Sequence, residues 1–347
     1  MRKALLTVGV LSFIAVGSFT GVSAQRRGQR SPSTESQPPS QSAPLPFTLK
    51  QVGRNAWAAI DLNGRAGSNA GFVIGDDGVA VVDTFEHEEA ARALLDEIRK
   101  KTSLPVKFVV DTHYHLDHVA GNGVFAQAGA VVMAQRNVRA WIHTENLKFF
   151  GKNITAAQKA MVEGYFAPEL VYDSGVTLYL GSRELIVKSY PGHTGGDSVV
   201  IVPGENGGND VVFCGDLFWN HLLPNLIDAN TKALVQTLKM LPDEVAHSAA
   251  AGSRSAGATV FVPGHGDVGT EQDLDAFRDY VVDLRAMVAG PVKEGKTGDA
   301  LVAAVMPELK AKYGQWGIFQ HFATRNILDV AAELRGTKQV PQPAPIQ

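Results

Sequence analysis

The sequence predicts an α/β layered fold, and three observations carry that prediction. Short apolar, β-branched runs recur in two sets, one in each half of the chain. Helical patterning separates and follows them. Histidines and aspartates gather in glycine-rich segments at the ends of these runs, the way layered α/β proteins assemble a site from distant sequence. A chain of 347 residues with 45% hydrophobic composition can bury the core this needs.

Taken in order, Met1-Arg2-Lys3, the apolar stretch 4–16 and the small residues Val22-Ser23-Ala24 have the three parts of a secretory signal peptide, with cleavage expected after Ala24. The apolar part is shorter than the roughly 20 residues a membrane span requires. The protein is therefore expected to be exported, periplasmic or secreted, with no membrane span in the mature chain. Residues 25–46 are rich in Ser, Gln and Pro and read as a disordered linker, because such composition buries too little apolar surface to order itself. The folded domain is expected over 47–340, with a flexible tail at 341–347.

Within that domain, strands are expected at 56–61, 71–74, 79–82 and 106–110, with a helix over 86–101. A second set follows at 177–180, 184–188, 199–202, 211–213 and 259–262. Between the sets, residues 141–168 carry helical sequence with Phe149, Phe150, Tyr165 and Phe166, and read equally as a packed insertion or as a lid. Amphipathic helices at 271–287 and 318–334 would cover the outer faces.

Loss of Arg2 and Lys3 with the leader would take the net charge from −3 to −5. No basic patch invites nucleic acid and no lysine-rich helix invites a membrane surface. The single cysteine, Cys214, excludes a disulfide within one molecule and reads as a small apolar core residue.

The chemistry lies in Asp111-Thr-His113-Tyr-His115-Leu-Asp117-His118. Three imidazoles and a carboxylate within six positions suit zinc or a similar first-row ion, and a closed structural site would want cysteines that this chain lacks. Three later segments add donors: His193 in Tyr190-Pro-Gly-His-Thr-Gly-Gly-Asp-Ser198, Asp216 in Cys214-Gly-Asp216, and His265 in Pro263-Gly-His-Gly266. Each follows or precedes an expected strand.

The ordered set HxHxDH, PGHTGGDS, CGD and PGHG resembles the metallo-β-lactamase superfamily of hydrolases over about residues 47–290. The resemblance implies an αββα four-layer sandwich with a dinuclear centre at one edge, two zinc ions being expected and iron or manganese possible. Carried over by position, His113, His115 and His193 would hold one ion, Asp117, His118 and His265 the other, and Asp216 would bridge them. A hydroxide between the ions would attack an activated carbonyl, with Asp117 as its catalytic orienting group. Asp83, ending the run Val79-Ala-Val-Val82, would brace the site from behind.

The implied partner is a small-molecule acyl substrate: a thioester, lactone, ester or lactam. Trp219, Asn220 and His221, just beyond Asp216, would face it, and Asn225 lies in a segment resembling the one that carries a substrate-facing asparagine in class B β-lactamases. Those lactamases carry a cysteine at the place of Asp216 and a lysine at the place of Trp219; an indole there replaces a cation with an apolar wall. The alternatives are a class B β-lactamase proper, a single-iron oxidative relative and a non-catalytic secreted metal-binding protein. His321 is a weaker candidate for the pocket, and His87, His143 and His247 read as surface residues.

Overall fold

The computed structural model describes residues 44–61, 63–248 and 257–343. The first sheet runs in strict sequence order: β1 (Thr48–Gly53), β2 (Ala56–Ile60), β3 (Ala70–Ile74), β4 (Val79–Val82), β5 (Val106–Asp111), β6 (Val131–Gln135) and β7 (Leu170–Tyr172). Its first four strands pair antiparallel and its last four parallel. The second sheet contains β8 (Gly175–Leu180), β9 (Arg183–Ser189), β10 (Ser198–Val202), β11 (Asp210–Trp219) and β12 (Thr259–His265), with β11 and β12 parallel at one edge.

Strand periodicity assigns each face. In β4, Val79 and Val81 pack outward beneath α1 (Glu88–Lys101), α2 (Leu116–Val119) lies at the end of β5, and α3 (Asn122–Gln127) packs beside α1; Ala80 and Val82 turn inward to the second sheet. In β10 the same alternation sends Val200 and Val202 inward to meet Val110 and Met133. Val199 and Ile201 face outward against α6 (Thr231–Ser248), α7 (Glu271–Lys293), α8 (Gly298–Tyr313) and α9 (Phe319–Leu334). The shorter helices α4 (Arg136–Trp141) and α5 (Ala156–Glu163) lie in the segment between the sheets' sequences. The result is helix, sheet, sheet, helix: the expected αββα sandwich.

Most expected elements stand within a few residues of their predicted bounds. β1, β6, β7, α6 and α8 were not expected; α6 and α8 carry Pro242 and Pro307, which read as helix stops. One boundary matters more. The strand expected to end at Phe213 continues to Trp219, because β12 offers a parallel partner as far as the pair Trp219 and His265.

The expected leader and most of the expected linker lie outside the described residues. At the linker's end, the Arg65 guanidinium donates to the carbonyls of Pro44 and Leu45. The expected tail begins as a packed segment, since the Trp141 indole N–H donates to the Gln342 carbonyl at 2.9 Å. Among the described residues no helix is long and apolar enough to cross a membrane.

Candidate metal centre

The C-terminal ends of β5, β11 and β12, with the loop before β10, bring seven side chains to one edge of the sandwich. They fall into two groups: His113, His115, His193 and Asp216 in one, Asp117, His118 and His265 in the other, with the potential ligand atoms of each group within 4.8 Å of one another. Asp216 joins the two. Its Oδ2 lies 3.2 Å from His193 Nε2 and 3.8 Å from His113 Nε2, while its Oδ1 lies 3.1 Å from His118 Nε2 and 3.4 Å from His265 Nε2. One carboxylate thus offers one oxygen to each group.

Hydrogen bonds behind the rings decide which nitrogen faces forward. His118 Nδ1 donates to Asp83 Oδ2 at 2.8 Å, which leaves Nε2 for the centre. The Thr112 hydroxyl also donates to Asp83 Oδ2 and can therefore accept from His113 Nδ1 at 3.1 Å, turning the Nε2 of that ring forward. His115 is set the other way round: Nε2 donates to Asp228 Oδ2 at 3.0 Å and Nδ1 faces His193 Nε2 at 3.0 Å. With Nε2 of His115 protonated, its Nδ1 accepts from His193 Nε2 when no metal is bound, and a cation between the two would take the place of that proton.

The residues fit metal ions. His113 Nε2, His118 Nε2, His265 Nε2 and Asp216 Oδ1 are buried and make no hydrogen bond, although such atoms are costly to leave unpaired. Imidazole and carboxylate donors in this number suit zinc, iron or manganese.

Burial and charge divide the two groups. Burial pushes the His113 imidazole well down and that of His193 down to about 3, against the pull of Asp216. Burial acts the same way on His118 and His265, but the carboxylates around them win: His118 is held well above its ordinary value, chiefly by Asp216 and Asp117, and His265 at about 9. Burial would raise the Asp117 carboxyl, yet His118 and His265 bring it below its ordinary value, so it is ionised at neutral pH.

Backbone geometry supports the arrangement at two glycines. Gly215 adopts φ 51°, and a Cβ there would stand 2.3 Å from Thr112 Oγ1. A Cβ on Gly264 would stand 1.9 Å from Asp216 Oδ1. Asp83 itself holds the left-handed conformation at φ 58°, uncommon for a non-glycine residue. That turn lets its carboxylate reach the Thr112 N–H at 2.7 Å as well as His118.

The expected substrate-facing residues require correction. Trp219 is 3% exposed and stacks on the His265 ring at 3.8 Å, so it backs a ligand instead of forming an open wall. Asn220 donates to the carbonyls of Asp267 and Val268 and pins the chain after His265. His221, at φ 52°, is exposed and lies 3.3 Å from Asp273, near Trp316. Asn225 accepts from the Ile227 N–H in a local turn. The extra length of β11 explains Trp219 and Asn220: the chain leaves the sheet later than the Cys-Gly-Asp segment suggested. His321 is exposed against Phe322, and His143, expected at the surface, is half-buried with Nε2 2.8 Å from the Tyr165 carbonyl. Cys214 is buried, as expected.

Sequence reasoning missed Asp228, Tyr114, Lys148 and Phe149. Asp228 accepts from the Tyr114 hydroxyl at 2.6 Å as well as from His115, and Phe149 sets its ring edge-on to His115 at 4.9 Å. The Asn146 amide donates to the carbonyl of Tyr114 at 2.8 Å. In this structure the segment around 145–150 is therefore a packed wall of the site.

Comparison with known proteins agrees with this geometry. The family model for the metallo-beta-lactamase superfamily matches residues 63–265, so the chain belongs to that superfamily of metal-dependent hydrolases. Among solved structures, a metallo-beta-lactamase from Pontibacter korlensis superposes with a TM-score of 0.51 at 21% identity, covering 68% of this chain and 99% of that one. The metallo-beta-lactamase FIM-1 from Pseudomonas aeruginosa, in its mono-zinc form, gives 0.52 at 20% identity, covering 69% of this chain and 96% of that one. Among curated proteins, a linear primary-alkylsulfatase from Pseudomonas sp. (strain ATCC 19151) is 41% identical over 49 residues, which is 14% of this chain and 9% of that enzyme.

Proposed function

We propose that this protein is an exported hydrolase that holds two divalent ions, zinc in the first instance, and cleaves an activated acyl compound: a thioester, lactone, ester or lactam. The observation that supports it best is the placing of the two Asp216 oxygens, one toward each donor group. The ions would supply Lewis acidity and a nucleophilic water at neutral pH. His113, His115, His193 and Asp216 would hold one, and Asp117, His118, His265 and Asp216 the other.

Asp117 has the properties of the proton-handling group. It is ionised, its side chain is 23% exposed where those of His113 and Asp216 are sealed, and it lies 3.2 Å from His265 Nε2. It can accept a hydrogen bond from a water entering the site and so aim the lone pair of that water at a carbonyl carbon. Glu86 adds a second carboxylate near Asp117 and His265, where burial raises its pKa ahead of the repulsion from Asp117.

A second reading follows from the alkylsulfatase match: hydrolysis of a sulfate monoester on an alkyl chain in the same site. One experiment separates the readings. The zinc-loaded protein is assayed against a thioester, a lactone, a β-lactam and an alkyl sulfate, each with and without a chelator. Chelator-sensitive turnover of thioester or lactone supports the acyl reading, and turnover of the sulfate alone replaces it. Dominant lactam turnover makes the protein a β-lactamase proper, while silence on all four reopens the oxidative and binding alternatives.

A further inference from the structure

The rings of the first donor group are sealed, and His115 depends for its orientation on a carboxylate remote in sequence. Asp228 is buried, and each of its oxygens is used. Oδ2 accepts from His115 Nε2 at 3.0 Å and from the Tyr114 hydroxyl at 2.6 Å; Oδ1 accepts from Lys148 Nζ at 2.6 Å. The same ammonium donates to the Tyr114 hydroxyl oxygen at 2.7 Å and so closes a triangle of Lys148, Tyr114 and Asp228. Its side chain is 26% exposed, against 2% for Asp228.

The main chain around Asp228 is fixed separately. Lys338 Nζ donates to the carbonyls of Leu226 and Ala229, on either side of it. What Lys148 holds is the rotation of the carboxyl group within a loop already anchored. Both cations border a cavity of about 800 Å³ that none of the seven candidate ligands lines, on the side of His115 away from the centre.

We infer that Lys148 is a positioning residue for the first metal ion. By fixing Oδ1 of Asp228 it keeps Oδ2 aimed at His115 Nε2, and so keeps His115 Nδ1 presented to the ion. Without the ammonium the carboxyl group is held through Oδ2 alone, by the Tyr114 hydroxyl and the His115 ring itself, so Oδ1 is free to turn, the direction in which the ring donates loosens, and the ion loses a preset ligand. Outer partners of metal-binding histidines typically carry about 10–100-fold in metal affinity. This inference rests on the metal reading of the site.

The test compares the wild type with Lys148→Met and Lys148→Arg by competition for zinc with a chromophoric chelator. The visible spectrum of the cobalt-loaded proteins and the imidazole N–H resonances of the zinc-loaded ones are recorded alongside. Lys148→Met is expected to weaken the tighter ion about 10–100-fold, to change the cobalt spectrum and to lose the His115 Nε2–H resonance, while Lys148→Arg recovers most of the affinity. If Lys148→Met does not fold, Lys148→Gln, which keeps a donor near Asp228 without the charge, is measured in its place and is expected to fall between the two. Affinity within twofold of wild type in the folded variant, with an unchanged cobalt spectrum, overturns the inference. A wild type that binds no zinc or cobalt overturns the metal reading itself.

Discussion

The two donor groups are built differently, although they share Asp216. The rings of His113, His115 and His193 are at most 3% exposed, and two of them are turned by buried partners, Thr112 just past β5 and Asp228 in its loop. In the second group Asp117 is 23% and His265 13% exposed, and only His118 is sealed. The difference teaches how one fold can grade access across a single site: the inner group is sealed, and the outer group is open to solvent, which on the proposed function would separate holding an ion from meeting substrate.

Changes on each side can break or sharpen that contrast. His113→Ala, in the inner group, is expected to bring hydrolysis down to the buffer blank and to lower the bound metal; full activity with full metal would remove the inner group from the mechanism. Trp219→Ala takes away the ring stacked on His265 and is expected to cost about 3–5 kcal/mol in a denaturant melt. Trp219→Lys, which on an open wall would raise activity toward anionic lactams, is expected here to destabilise the fold instead, because it buries an unpaired cation. Asp117→Asn, in the outer group, is expected to lower kcat at least about a hundredfold with an unchanged melting temperature; a loss under tenfold would leave Asp117 as a ligand only.

The smallest effect is the most diagnostic. Ligands bind a metal deprotonated, so loading expels whatever protons the free site holds. At pH 7 the inner His113 and His193 are neutral, since burial holds both below that pH, whereas His118 and His265, held up by carboxylates, are protonated. Calorimetric titration in buffers of different ionisation heat should therefore show about two protons released, almost all with the ion that enters the outer group. Affinity for that ion should fall as pH drops from about 9, the value at which His265 begins to hold its proton. Equal release by both ions would erase the distinction drawn between the groups.

The seven candidate ligands were legible in sequence because each sits within a few residues of an apolar strand whose end fixes its position, as Val106–Asp111 does for His113. Asp83 was legible for the same reason. Asp228 and Lys148 were not, since they lie 113 and 33 positions from His115 and only tertiary packing makes them neighbours. Trp219 was misplaced by a different cause. A run of apolar residues shows that a strand starts but not where its neighbour stops supporting it, and β12 carries β11 six residues past Phe213. The long β11 turned Trp219 and Asn220 from expected pocket residues into scaffold.

Gly264 has a practical side. The missing side chain leaves the space in which Asp216 swings one oxygen across to the outer group, and a methyl there would stand 1.9 Å from that oxygen. The same methyl would stand 2.9 Å from the Gly215 carbonyl carbon and 3.0 Å from the Asp216 nitrogen, so it would press on the main chain that carries the carboxylate as well as on the carboxylate itself. A single added carbon at this position is therefore the smallest edit that would disturb both halves of the centre at once.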